Sequence, residues 1–325
     1  MSDEKIRVGK TLDEAISFTT SNMGGIIRVG WLPIGLTIGA TVGLAWVLLK
    51  PLILAYGEMI AAVSAAASAG AADGGKTPDV AFDPQIFDSA IQEIGAGNLA
   101  LAYLLIIIVS LVGFAIPVAA YCRMMVTGER IRGLAYFRLG GREISVAFTY
   151  FVVTLLVMVA MIALVLAIVA LAGVLAAVLG TAGAALSGLI SIVMFVVMIV
   201  IMFRLFGRLG VAIPAAAVEG GIPIGHAWEL TEGHAGAIGG ALFVGYLAMT
   251  IIMSIAMMVL GLLSGLIAGA LTSMGSNLTY VFVGSIWGVG YIAIYCVSTA
   301  FFMGLFAGPY KRLAGLTGAP TEVFD

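Results

Sequence analysis

The chain has 325 residues, of which 62% are hydrophobic and 10% charged, with a formal net charge of −2. A soluble domain carries about 25% charged residues, and no soluble fold can bury this much apolar surface, so the composition excludes a water-soluble globule and requires lipid as solvent. The charge balance and the lack of a basic block exclude nucleic acid as a partner.

The sequence predicts an all-α, polytopic transmembrane helical bundle. Residues 1–31 form a charged amphipathic segment, MSDEKIRVGKTLDEA at its head, with no signal-peptide apolar region, so the first span is expected to stay in the protein. The membrane domain covers 32–310, with spans near 32–56, 98–122, 146–178, 187–206, 237–270 and 280–307. Loops 123–145 and 207–236 and the tail 311–325 lie between or beyond them.

Basic residues orient these spans. All of the fifteen Lys and Arg except Lys50 and Lys76 fall on one side of the predicted topology. By the positive-inside rule that side is the cytoplasm, and it holds both termini.

The outer side has one sizeable segment, 57–97. MIAAVSAAASAGAA continues the first span as helix, and AADGGKTP breaks it. A helix restarts with Asp83 as N-cap and Pro84 in the first helical position. Ile86, Phe87, Ala90, Ile91 and Ile94 share its apolar face, which either packs on the chain's own bundle or docks a protein partner.

A weak internal repeat aligns the segment from Leu12 with that from Ile224. Ala15, Thr19, Gly24 and Ile26 match Ala227, Thr231, Gly236 and Ile238. Each copy is an amphipathic stretch followed by glycines and a span, and GREISVAFTYFV is built similarly. The expected arrangement is three helical hairpins, each introduced by an interfacial amphipathic helix on the cytoplasmic side.

Glycines recur every four residues, at Gly35, Gly39 and Gly43 in span one and at Gly261, Gly265 and Gly269 in span five. That spacing puts each set on one helix face, where small residues let backbones approach. The stripes pack either within the chain or between subunits of a homo-oligomer. Pro117 should kink span two or end its regular bonding.

Candidate chemistry concentrates in VEGGIPIGHAWELTEGH, which holds both histidines. His226, Glu229 and His234 lack the i, i+4 histidine spacing that converges on zinc, and Gly233 should end the helix before His234. The segment reads as a short interfacial helix opened by Pro223, with Ile224 and Trp228 on an apolar stripe. Trp228 and Trp31 are expected as interfacial anchors. Glu219, at the edge of an apolar stretch, is costly unless paired, and Arg204 or Arg208 is its expected ion-pair partner.

The spans place no Asp, Glu or His near mid-membrane, unlike proton- or ion-coupled transporters. Two methionine stripes, Met194, Met198 and Met202 and Met249, Met253 and Met257, read as gap fillers rather than a Cu(I) path. Cys122 and Cys296 read as small buried residues. No catalytic residue, cofactor site or metal site is expected.

The stretch from Phe203 carries Arg208, Pro214, Glu219, Ala227, Trp228, Leu230, Thr231 and Gly233. With this pattern it resembles polytopic bacterial proteins similar to the membrane domain of glycerophosphodiester phosphodiesterase. The stretch from Tyr121, together with WLPIG at Trp31, resembles an uncharacterised alphaproteobacterial branch of such proteins. The resemblance covers about half the chain. It implies a helical protein of the bacterial inner membrane without the phosphodiesterase's catalytic domain. The expected function is non-catalytic: a self-associating scaffold, accessory subunit or lipid-organising element, with membrane lipid as partner. The alternative is a transporter or channel for lipid or another apolar small molecule.

Overall fold

In the computed structural model of the chain, the structure describes residues 6–72, 84–131, 136–271 and 276–316. Among these residues the fold is all-α and contains six helices long and apolar enough to cross a membrane. Large apolar side chains on the spans, such as Leu166, Ile192, Leu266 and Val289, stand exposed, as lipid-facing residues do. The chain is a multi-pass membrane protein, and its residues divide into two compact units, 1–35 with 114–325, and 36–113.

The smaller unit holds the end of α2 (Met23–Leu48), α3 (Lys50–Ala72), α4 (Pro84–Ile94) and the start of α5 (Ala96–Val126). The first span was expected at 32–56, yet the apolar helix covers Met23–Leu48 and breaks at Leu49. Pro51 explains the break: it has no N–H to give Val47, and its ring crowds the preceding turn. α3 and α4 pack together, with Leu49, Ile94 and Ala102 as a small buried core.

On α4, Ala90 and Ile94 are buried while Ile91 faces outward, so the buried face is narrower than the sequence suggested. Ile86's side chain and the expected cap Asp83, like the AADGGKTP break, lie outside the described residues. α5 runs unbroken through Pro117.

The larger unit is built on α1 (Val8–Ser21), α6 (Gly141–Gly210), α7 (Ala212–Glu219), α8 (Ile224–Leu230), α9 (Ala235–Ala270) and α10 (Ser276–Leu313). α1 lies against α9 and α10, which pack on each other, and α6 packs on α7, α8 and α9. The amphipathic α1 buries Thr11, Ala15, Phe18 and Thr19, which are spaced to fall on one face.

α6 departs from the expected hairpin with a loop between 178 and 187. Its backbone is helical for 70 residues without a break, which would span about 105 Å if straight. Yet its start meets residues just past its end. The Gly221 N–H donates to Ser145 Oγ at 3.1 Å, and Thr149 Oγ1 donates to the Gly221 carbonyl at 3.4 Å. From Gly210 to Gly221 even an extended chain reaches at most about 40 Å. α6 must therefore double back on itself, so the hairpin exists but its turn stays helical. The sequence gives a reason. Between the two apolar stretches stands LAAVLGTAGAALSGL, without the Pro, Asn or Asp that would draw the backbone out of a helix.

The predicted glycine stripes make few contacts within the chain. At Gly35 a Cβ would lie 3.3 Å from Ile292 and at Gly261 3.9 Å from Trp287, whereas at Gly39, Gly43 and Gly265 it would meet nothing among the described residues within 4 Å. Close approach falls elsewhere. A Cβ on Gly239 would sit 2.9 Å from the Phe203 carbonyl oxygen, where α6 and α9 cross backbone to backbone. At Gly304 it would sit 3.1 Å from Ala15 Cα, where α10 receives α1. Gly30 makes room for the Tyr121 hydroxyl, which donates to the Ile26 carbonyl at 3.0 Å. Cys122 and Cys296 are both free and buried.

Candidate functional site: a polar rim on the larger unit

The charged and hydrogen-bonding side chains of the larger unit join the ends of its helices into one rim. The start of α6, the end of α5, the α7–α8 segment, α1 and the end of α10 are linked there.

At the α5–α6 link, Arg123 and Glu143 are almost wholly buried, with side chains 5% and 1% exposed. Arg123 Nη2 lies 3.1 Å from Glu143 Oε1, and Arg123 Nε lies 3.1 Å from Glu129 Oε2. Glu143 stands in the first turn of α6, where its Oε2 accepts the Gly140 N–H at 3.0 Å, as a residue at that helix position can. The Tyr136 hydroxyl accepts from Arg123 and donates to Glu143 Oε1 at 3.0 Å. Burial raises the Tyr136 phenol's pKa, Arg123 opposes that rise and Glu143 adds to it. The phenol thus stays protonated and able to donate. A buried arginine between two carboxylates and a phenol ties the two helices together, although its Nε finds no hydrogen-bond partner among the described residues.

At the α1–α10 link, Arg312 is buried to a side-chain exposure of 4%. Its Nη2 donates to Thr11 Oγ1 at 2.7 Å and lies 3.5 Å from Glu14 Oε2. Its Nε and Nη1 have no hydrogen-bond partner among the described residues. A cavity of about 650 Å³ opens beside it, between α1, the end of α5 and the end of α10.

The expected pairing of Glu219 with Arg204 or Arg208 is not among the ion pairs of the described residues. Glu219 Oε1 instead accepts the Tyr310 hydroxyl at 2.5 Å and lies 4.0 Å from His226 Nε2. Arg208 turns to α8: its Nη2 donates to the Trp228 carbonyl at 2.9 Å, and its guanidinium stacks 3.7 Å above the indole. Arg204 lies near the start of α9, where a Cβ on Gly236 would be 3.5 Å from it. The reason is tertiary: α7 carries Glu219 to the side where α10 ends, while α8 brings Trp228 over Arg208.

α8 begins after Pro223, as the sequence predicts, and Gly233 takes a φ of +76° just past it. Its buried face is Ala227 and Thr231; Ile224 is only partly covered and Trp228 is exposed on the side away from Arg208. Trp31 is exposed as well. His234 Nδ1 lies 2.9 Å from the Glu232 carbonyl, and His226 is at Glu219, so the loop's histidines are engaged separately. Among the described residues no group of three His, Cys, Asp or Glu could hold a metal ion.

The sequence reading missed Arg312, Tyr310 and the Arg123–Glu143 tie. Glu143 was discoverable, since an acid in the first turn after a Gly-Gly start is a helix-capping signal. Tyr310 and Arg312 act on partners hundreds of residues or nearly a hundred residues away in the chain, and no local signal marks them.

The residues on which the expected bacterial resemblance rests cluster on this rim. Pro214, Ala227 and Thr231 are buried, Gly233 turns the chain, and Arg208, Trp228 and Glu219 make the contacts above. No protein-family model, curated protein or solved structure matches the chain.

Proposed function

We propose that the chain is a non-catalytic protein of the bacterial inner membrane that self-associates and organises lipid, as a scaffold or accessory subunit. Its rim and both termini face the cytoplasm in this reading, as the basic residues require. The observation that carries self-association is the open glycine faces. Gly39 and Gly43 on α2, and Gly265 on α9, leave room for a Cβ with nothing among the described residues within 4 Å. Small residues on lipid-facing helices permit close helix–helix contact with another copy. The rim's side chains, tied to one another or stacked, supply stiffness rather than a poised nucleophile or base.

Copy counting in lipid nanodiscs tests this. The wild type should run as a defined oligomer, and Gly39→Leu with Gly43→Leu, or Gly265→Leu, should reduce it to monomer without unfolding. A wild-type monomer at every concentration would defeat the reading.

One observation favours transport as a second reading. A cavity of about 400 Å³ on α9 and α10 is lined by Tyr246, Met249, Met253, Met257, Ser298 and Phe302. Thioethers and rings with a few hydroxyls suit an acyl chain or another apolar molecule. Movement of a labelled lipid across proteoliposomes, lost on Met253→Trp, would support it.

A further inference from the structure

The cavity between α1, the end of α5 and the end of α10 is lined by two chemically distinct sets of side chains. One is cationic: Lys10 from α1 and Lys311 and Arg312 from α10 line it. The other is apolar, made of Phe18, Met124 and Met125. Two acids, Asp13 and Glu14, also border it, but Glu14 is already engaged by Arg312 at 3.5 Å. Arg312 is the decisive group. Its side chain is 4% exposed, and its Nε and Nη1 are sealed from solvent and lack any partner among the described residues, an expensive arrangement that a modest turn of the guanidinium toward an acceptor in the cavity relieves. An anion with several oxygens meets the planar donors of arginine well.

We infer that this cavity binds the phosphate of a glycerophospholipid, its head group against Lys311 and Arg312 and its glycerol ester region against Phe18, Met124 and Met125. The amphipathic lining selects the lipid over free phosphate, because an inorganic ion leaves the apolar wall bare. The position fits, since Met124, Met125 and Arg312 stand at the last turns of apolar helices, where a bilayer's phosphates lie. The inference rests on the lipid-organising reading above and gives that reading a site.

Native mass spectrometry of the full-length protein in detergent tests it, with phosphatidylglycerol, diacylglycerol of the same chains, and inorganic phosphate as probes. Retention of phosphatidylglycerol should exceed that of diacylglycerol by about tenfold or more. Lys311→Gln should weaken it several-fold. Ser17→Glu, which adds a like charge at an exposed position on the cavity wall, should weaken it about tenfold while leaving the fold intact. Equal retention of the two lipids, or no change in either variant, overturns the inference. Displacement of phosphatidylglycerol by inorganic phosphate at equal concentration overturns lipid as the ligand. The same spectra count copies: a monomer that still retains phosphatidylglycerol defeats self-association but not this site, and an oligomer that retains neither lipid does the reverse.

Discussion

Arg123 at the end of α5 and Glu143 in the first turn of α6 stand 3.1 Å apart with their side chains all but sealed from solvent. Their pairing closes the loop between two spans. Removing one partner of such a pair leaves a buried charge alone, at a cost of about 3–5 kcal/mol. Glu143→Ala should therefore lower the thermal midpoint in detergent substantially. Arg123→Met with Glu143→Leu, which removes both charges, should recover much of the loss. A single variant that melts like wild type would show that the pair is not buried in solution.

Two glycine classes should respond oppositely to alanine. Gly239→Ala forces a methyl to within 2.9 Å of the Phe203 carbonyl oxygen, a backbone atom that cannot step aside, and overpacking of this kind costs about 1–3 kcal/mol. Gly265→Ala meets nothing among the described residues within 4 Å and should leave the monomer's stability unchanged or slightly higher, because alanine favours helix. The comparison is read by thermal unfolding of the two variants. Equal losses would mean that the α6–α9 crossing is looser than described.

Glu219 should couple to Tyr310 and not to Arg208. In a double-mutant cycle of Glu219→Leu and Tyr310→Phe, the interaction energy should be about 1 kcal/mol, as for an ordinary intramolecular hydrogen bond. The same cycle with Arg208→Gln should give close to zero. A reversed result would restore the ion pair suggested by sequence.

Alkaline titration should reveal Tyr136. Its phenol has a pKa raised above the ordinary 10.0 by burial, so the unfolded chain gives up this proton at a lower pH than the folded one. The contribution to stability is thus constant at neutral pH and declines as pH climbs above about 10. Tyr136→Phe should remove that part of the decline, leaving a flatter stability profile in the alkaline range. Parallel profiles for variant and wild type would mean that Tyr136 is exposed.

The sequence makes the membrane architecture legible because hydropathy reports burial in lipid directly. Six apolar runs yield six apolar helices. The first span ends earlier than its hydropathy suggests because Pro51 sets a break that an apolar run does not show. The internal repeat has physical content. Thr19 and Thr231, matched by alignment, are both buried and each donates to the carbonyl four residues back, at 2.8 Å. The matched Ile26 and Ile238 are both fully buried. Glycine spacing was less informative. A repeat of four marks a helix face but not what lies against it, and the crossing at Gly207 and Gly239 uses one glycine from each helix. The rim's ties were hidden for the same reason, since Thr11 and Arg312 meet only once the whole chain is folded.

The account depends most on α6 folding back so that its two ends share one rim. Spin labels at Ile144→Cys and Ile222→Cys, both exposed positions, measure this by dipolar spectroscopy in lipid bilayers, with the native cysteines buried. A doubled-back α6 predicts a separation no greater than about 25 Å, against about 55 Å or more for a straight helix even with residues 210–222 stretched back along it. A distance beyond about 60 Å would contradict the fold-back and with it the single polar rim.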